Sequence, residues 1–168
     1  MKLFLLRHSV PDYGDWDGVD ITQKPDDPPL SDEGVEYVEN LAKWMLDTET
    51  IPNVIWASPR LRTQQTAEIV RDALGLPSVD TRGSMGSDMS IRKMVLKACG
   101  DKSLTRVMLV SHHESIAQGL VALNQAAESH ADKFAMAELR MYRVARKDGT
   151  WEEHLRLPPS DLGGWDRY

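Results

Sequence analysis

Short, continuous apolar runs alternate with helix-like stretches along this chain, and this alternation is its strongest constraint on fold. Residues 3–6, 54–57 and 107–110 are apolar throughout, as strands buried on both faces of a parallel sheet are. Amphipathic or helix-like segments follow them, and we expect helices over residues 31–46, 61–74, 90–98 and 115–124. The order predicts an α/β fold: a three-layer sandwich with a mostly parallel central sheet flanked by helices.

The rest of the chain adds smaller elements to this plan. Residues 78–89 are expected to form a short strand and a loop. Two further strands are predicted over residues 138–145 and 151–157, joined by Lys147-Asp148-Gly149, which is typical of a hairpin turn. With 168 residues and no internal repeat or linker, we expect a single domain over residues 1–168.

Composition excludes several classes of partner. The formal net charge is −6 and no basic stripe is visible, so we expect no nucleic-acid binding. The apolar start over residues 3–6 is too short for a signal peptide or membrane span, which predicts no membrane association. Cys99 is the single cysteine, which rules out an intrachain disulfide and favours a reducing, cytoplasmic location.

Basic residues follow all three strong strands. The first strand ends in Arg7-His8, the second leads into residues 58–62 with Arg60 and Arg62, and the third ends in His112-His113. In sheets of this kind, ligands bind beyond the carboxyl ends of the strands. The sequence therefore predicts one crevice that binds an anion and contains two or more imidazoles.

Four segments carry a family resemblance. They are Leu6-Arg7-His8, the LSDEG of residues 30–34, the SPRLRTQQTA of residues 58–67, and Val110-Ser111-His112. In this order and spacing the chain resembles the histidine phosphatase superfamily, whose fold is phosphoglycerate mutase-like. The resemblance spans residue 3 to about residue 120, and in size the chain is most similar to short bacterial phosphohistidine phosphatases.

The resemblance implies a role for each matching residue. His8 would attack phosphorus and become a phosphohistidine, while Arg7, Arg62 and His112 would bind the phosphoryl oxygens, without metal or cofactor. The chemistry suits these residue types, because guanidinium groups give paired, permanently charged donors and imidazole is a nucleophile near pH 7. Arg60 and His113 are expected at the rim of the pocket.

Two positions depart from the family pattern. Ser9 stands where the opening motif usually has glycine, and we expect activity to survive because the arginines and histidines remain. Residues 80–90 hold no glutamate where larger members have the proton donor. Asp88 is our candidate general acid, with Asp80 as the second choice and a plain loop role open for both.

These observations favour a phosphatase that hydrolyses a phosphomonoester or a phosphohistidine. Its substrate would be a phosphorylated small molecule or a phosphoprotein. The alternatives are a phosphoglycerate mutase-type phosphoryl transferase and a non-catalytic phosphate-binding domain. The acidic segment over residues 12–27 is predicted to be a solvated loop near the crevice. A sharper hypothesis is that its negative charge disfavours polyanionic substrates.

Overall fold

The computed structural model describes residues 1–14, 26–86, 90–122, 133–147 and 151–167. Within these residues the strands are β1 (Lys2–Arg7), β2 (Val54–Ala57), β3 (Val79–Thr81), β4 (Arg106–Ser111), β5 (Leu139–Val144) and β6 (Trp151–Leu157). The helices are α1 (Asp32–Asp47), α2 (Leu61–Ala73), α3 (Ser90–Gly100) and α4 (His113–Ala122). Short 3₁₀ helices lie at Gly83–Gly86 and Pro159–Leu162.

The strands form one sheet in the order β3-β2-β4-β1-β5-β6. The first four strands in this order are mutually parallel, β5 pairs antiparallel with β1, and β6 pairs antiparallel with β5. The first strand of the chain is therefore held between β4 and β5, with backbone hydrogen bonds on both edges. The predicted mostly parallel sheet is confirmed.

Helices cover both faces of the sheet. Phe4 and Leu6 point to the layer built by α1 and α2, whereas Leu3 and Leu5 point to the layer built by α3 and α4. Because both faces are buried, β1 needs apolar residues at every position rather than at alternate ones. The predicted three-layer sandwich is thus confirmed.

The start of α1 is clamped onto the segment that follows β1. Ser31 caps the helix by accepting from the Gly34 N–H at 3.1 Å, and its own N–H donates to the Val10 carbonyl at 2.9 Å. A Cβ on Gly34 would lie 2.2 Å from that same carbonyl oxygen. The serine and glycine of the LSDEG segment therefore fix the backbone just after His8.

Element boundaries differ slightly from the predictions. The helix expected over 115–124 begins earlier, at His113, and part of the loop expected before residue 89 is the 3₁₀ helix Gly83–Gly86. The proposed hairpin residues Asp148 and Gly149 lie outside the described residues. No helix in the described part of the chain is long and apolar enough to cross a membrane.

Candidate active site

A cavity of about 370 Å³ opens at the carboxyl edge of the sheet, where β1, β2 and β4 end. It is lined by Arg7, His8, Tyr13, Arg60, Arg62, His112, His113, Glu114, Ser115 and Met136. We call it the carboxyl-edge cavity. The three strand ends singled out in the sequence thus converge on one site, because parallel strands finish at the same edge.

Hydrogen bonds fix the proton on the His8 ring. Nδ1 lies 2.7 Å from the Ser9 carbonyl oxygen, which only accepts, so Nδ1 carries the hydrogen. The Arg62 Nε–H, which only donates, lies 3.3 Å from Nε2. The lone pair of His8 is therefore on Nε2, on the side of the ring that faces Arg62.

Arg62 also orients the second histidine. Its Nη2 donates to His112 Nδ1 at 3.4 Å, so the His112 hydrogen is on Nε2 and is donated to Ser58 Oγ at 3.1 Å. The ring centroids of His8 and His112 are 5.2 Å apart. One guanidinium from α2 thus holds two imidazoles, from β1 and β4, in complementary orientations.

Burial keeps both rings neutral. The pKa of His8 is lowered to about 3, first by burial and further by the positive charges of Arg62 and Arg7, against the opposing bond to the Ser9 carbonyl. The pKa of His112 is lowered to about 4, again by burial and then by Arg62. At neutral pH the positive charge of the cavity therefore comes from the arginines.

Arg7 is anchored from the opposite side. Its Nη1 donates to the Phe134 carbonyl, while its Nε is buried with no hydrogen-bond acceptor among the described residues. Burial lowers the pKa of Arg7 from its ordinary value, but a guanidinium stays charged in proteins. The segment that holds it, residues 133–138, also donates from the Ala137 N–H to the His8 carbonyl at 3.2 Å.

A buried carboxylate fixes the shape of that segment. Glu138 accepts from Ala135 N–H at 2.7 Å, from Arg140 Nε at 2.6 Å and from Arg156 Nε at 2.9 Å. Both Glu138 and Arg140 are almost wholly buried. Since a buried charge is tolerated when its partners are complete, this cluster rigidly supports the wall beside Arg7.

The polar residues Gln65 and Thr66 of the SPRLRTQQTA segment make hydrogen bonds to the backbone near His8. The Thr66 hydroxyl donates to the Arg62 carbonyl at 2.7 Å and accepts from the Ser9 N–H at 3.1 Å. Gln65 accepts from the Leu30 N–H at 2.7 Å. The first turns of α2 therefore carry Arg62 and also hold the backbone at Ser9, just after His8, and at Leu30, just before α1.

Serine at position 9 does not need a glycine-like backbone, although its hydroxyl oxygen is buried with no hydrogen-bond partner among the described residues. The backbone of Ser9 is not in the left-handed region that favours glycine. Its side chain is fully buried and does not line the carboxyl-edge cavity. The departure at Ser9 leaves the orientation of the His8 ring intact.

A family model described as "Histidine phosphatase superfamily (branch 1)" matches residues 3–84. The resemblance to the histidine phosphatase superfamily is confirmed. The matched range contains Arg7, His8 and Arg62, and His112 lies beyond it. Comparison with curated protein sequences gave no match.

Several solved phosphatase structures share this fold over most of the chain. The protein histidine phosphatase SixA in complex with tungstate has a TM-score of 0.78 at 19% identity, covering 96% of this chain and 99% of that chain. Phosphoserine phosphatase from Entamoeba histolytica with 3-phosphoglyceric acid gives 0.72 at 16%, over 96% and 98%. A mycobacterial glucosyl-3-phosphoglycerate phosphatase gives 0.67 at 15%, over 92% and 97%. At these identities the likeness concerns the fold.

The structure brings together four of the five residues singled out from the sequence: Arg7, His8, Arg62 and His112. The fifth, Asp88, lies outside the described residues. Asp80 is a poor second choice, because it is 2.5 Å from Arg82 in an ion pair and does not line the cavity. Arg60 and His113 line the cavity as expected, Arg60 from an exposed position.

Asp27 is the clearest residue that sequence reasoning missed. Asp27 belongs to the acidic segment predicted to be a solvated loop, yet its Oδ1 lies 3.3 Å from Arg62 Nη1 and its Oδ2 accepts from the Leu61 N–H at 2.9 Å. The carboxylate thus holds the outer side of the guanidinium whose inner side meets the histidines. Among six neighbouring aspartates in the sequence, nothing marked this one.

Proposed function

We propose that this chain is a metal-independent phosphatase that hydrolyses a phosphomonoester or a phosphohistidine through a phosphohistidine intermediate on His8. The state of the His8 ring carries the proposal. Its Nδ1–H is bound to the Ser9 carbonyl, and its neutral Nε2 faces Arg62 at the cavity. An imidazole lone pair held in a cationic pocket is suited to attack phosphorus.

In the first step, the Nε2 lone pair bonds to phosphorus as the bond from phosphorus to the leaving oxygen or nitrogen breaks. The leaving atom keeps that electron pair and takes a proton. In the second step, water attacks phosphorus, the P–Nε2 bond breaks, its electrons return to His8, and the water releases a proton. Phosphate and the neutral histidine are restored.

Arg7 and Arg62 stabilise the charge that builds on the phosphoryl oxygens. Preorganised cationic donors act mainly in this way in phosphoryl transfer. A dianionic phosphoryl group favours a protonated neighbour, so His112 becomes a further donor once substrate is bound. Two arginines at the cavity disfavour a bound cation, which is the physical reason for proposing that no metal takes part.

The proton donor for the leaving group has two candidates. Asp88 is the choice from the sequence, and Glu114 is the carboxylate that lines the cavity in the described part of the chain. Turnover of a series of aryl phosphates whose leaving groups rise in pKa distinguishes the two candidates. The substitution, Asp88→Asn or Glu114→Gln, that slows poor leaving groups much more than good ones identifies the donor.

The substrate proposal stays at the level of chemical class. A phosphorylated small molecule or a phosphoprotein fits the open cavity. The neighbours named for protein histidine phosphatase and phosphoserine phosphatase activity support phosphohistidine and phosphoserine as first substrates to test. A reducing, cytoplasmic location stays a prediction from the single Cys99.

The deciding experiment is turnover of an aryl phosphate in the presence of EDTA by the wild type, His8→Ala and His154→Ala. His154 is exposed on β6 and serves as the matched control. We expect EDTA-insensitive activity that is lost only in His8→Ala, with an acid-labile, base-stable phosphoenzyme. Full activity in His8→Ala would contradict the proposal. Phosphate binding without turnover would indicate a non-catalytic domain, and phosphoryl transfer to a sugar acid a mutase.

A further inference from the structure

A second cavity lies at the amino edge of the sheet, where β1 and β4 begin. Its volume is about 680 Å³, and it is lined by Met1, Lys2, Lys102, Thr105, Arg106, Arg143 and Arg146. We call it the amino-edge cavity. It shares no lining residue with the carboxyl-edge cavity, and the length of β1 separates the two by roughly 17 Å, at about 3.3 Å per residue. Five of its seven lining residues are cationic.

Strand register forces three of these cations side by side. Lys2 on β1 pairs with Arg106 on β4 and with Arg143 on β5. Paired residues project on the same face of a sheet, and like charges directly opposite one another destabilise it. The row lies just beyond the buried apolar row formed by Phe4, Met108 and Met141.

The positive charges have no carboxylate partner within the described residues. None of the ion pairs found there involves any of the five cations. Arg146 is held instead by backbone carbonyls, donating from Nη1 to Asp101 at 2.7 Å and from Nη2 to Leu104. Its position is therefore fixed by backbone carbonyls, without a direct ion pair among the described residues.

Two carboxylates close to these cations in sequence or strand register, Asp101 and Glu152, do not line the cavity. Asp101 accepts from the Ser103 N–H at 2.9 Å and from the Ser103 hydroxyl at 2.6 Å, closing its own turn. Glu152, the cross-strand partner of Arg143 on β6, is exposed and does not line the cavity. The cavity wall is thus wholly cationic in its charged groups.

Such a wall is unusual in a chain of net charge −6. A monovalent anion would neutralise one cation and leave the remaining repulsion in place. A multivalent anion would neutralise several at once, and guanidinium and ammonium groups both bind phosphate oxygens well. We propose that the amino-edge cavity binds a small molecule that carries two or more phosphate groups. This proposal does not depend on the chemistry of His8.

The test is calorimetric titration with inorganic triphosphate at about 0.1 M salt, an ionic strength that screens exposed charges beyond about 10 Å. The test variant is Lys2→Glu with Arg143→Glu. The matched control is Lys43→Glu with Arg92→Glu, which changes the net charge equally at exposed positions on α1 and α3. Lys102→Glu, in an exposed turn, is a milder second test variant.

We expect the wild type, the control pair and Arg62→Ala to bind triphosphate at the amino-edge cavity. The Lys2–Arg143 pair and Lys102→Glu should bind it at least tenfold more weakly, while keeping wild-type thermal unfolding and aryl phosphate turnover. If only Arg62→Ala loses binding, all triphosphate sits at the carboxyl-edge cavity and the proposal is wrong. Absence of binding to the wild type overturns it as well.

A parallel titration with a nucleoside triphosphate separates two sources of the same chemistry. Equal affinity for both probes indicates recognition of the phosphate chain alone. Tighter binding of the nucleotide, lost in the same variants, indicates that the base and sugar also contact the cavity. Either result supports the site, whereas nucleotide binding unchanged in the Lys2–Arg143 pair contradicts it.

Discussion

Positive residues lie at both edges of the sheet, but their surroundings differ between the two edges. At the carboxyl edge, Arg7 and Arg62 are buried or partly buried and are bonded to carbonyl, imidazole and carboxylate groups. At the amino edge, Lys2 and Arg143 are exposed and unpaired with any described carboxylate. The first arrangement fixes geometry, while the second supplies electrostatic attraction.

The difference indicates what each edge can do. Catalysis needs donors that are already in place when charge develops on the substrate, because reorganising them costs free energy in the transition state. Binding a multivalent anion needs only an excess of positive charge and room for the ligand. Substitutions at the carboxyl edge should therefore affect turnover steeply, and those at the amino edge only affinity.

The largest expected effect is the loss of turnover when the proposed nucleophile, His8, is removed. His8→Ala should lower turnover of an aryl phosphate on the order of 10³-fold or more, equivalent to about 4 kcal/mol of transition-state free energy. The reason is that no neighbouring group replaces Nε2. Steady-state kinetics of His8→Ala and Lys2→Glu compares the two edges, and Lys2→Glu should keep wild-type turnover. Equal losses of turnover in the two variants would refute the difference between the edges.

Removing one guanidinium comes next. Arg62→Ala should lower kcat/KM by about tenfold to a hundredfold, since a charge-assisted hydrogen bond is worth roughly 1.5–3 kcal/mol. Arg60→Ala, two residues away at the rim, is the control and should change kcat/KM less than about threefold. A larger effect from Arg60 would mean that the rim arginine binds the phosphoryl group.

Geometry can also be disturbed at the carboxyl edge without removing any charge. In Gly34→Ala the new Cβ would meet the Val10 carbonyl at 2.2 Å, so the backbone after His8 must shift. We expect about a tenfold loss of kcat and a cost of about 1–3 kcal/mol in unfolding free energy. Gly83→Ala, with open space around it, should leave both unchanged. Wild-type kcat in Gly34→Ala would show that preorganisation matters little.

Asp27 tests whether Arg62 needs its outer contact. Asp27→Ala should lower kcat about fivefold, because the guanidinium loses one fixed hydrogen bond worth about 1 kcal/mol. Asp27→Asn still offers an acceptor oxygen and should recover most of the loss. Asp26→Ala, at an exposed neighbouring position, is the control. A loss in Asp26→Ala equal to that in Asp27→Ala would point to the charge of the loop instead.

The last prediction concerns how the unfolding free energy depends on pH. The His8 and His112 pKa values are lowered to about 3 and 4, so the unfolded chain takes up protons below about pH 6.5 while the folded chain does not. Stability present above pH 6.5 is therefore lost as the pH falls, by at most about 1.4 kcal/mol per pH unit for a fully buried histidine. His8→Gln should flatten the fall in Tm between pH 6.5 and 4, and His154→Gln should not. A parallel fall in all three proteins would exclude this origin.

The residues that the sequence could predict are those whose type alone restricts their role. Apolar runs such as residues 3–6 have to be buried on both faces, and Arg7, His8, Arg62 and His112 follow strands or begin helices in fixed order. The parallel core and the converging strand ends follow from these facts. The start of α1 at residues 30–34 could also be located from the sequence. Its contact with the Val10 carbonyl appears only in the structure.

The supporting contacts could not be predicted, because they depend on residues far apart in the chain and common in type. Phe134 contributes a backbone carbonyl to Arg7, and Ala137 contributes a backbone N–H to His8, so neither side chain carries a signal. Asp27 resembles its acidic neighbours. The amino-edge row exists only through the register of Lys2 with Arg106 and Arg143, which strand patterns alone do not give.

The central place of β1 also determines the order in which the molecule can be assembled during synthesis. Strand β1 pairs with β4 and β5, whose residues are made much later in the chain. Such non-local pairing is slow and waits for the distant partners. A nascent chain that ends before β4 therefore carries His8 without His112 or the wall that anchors Arg7. The full set of Arg7, His8, Arg62 and His112 can therefore come together only after β4 and β5 have been made.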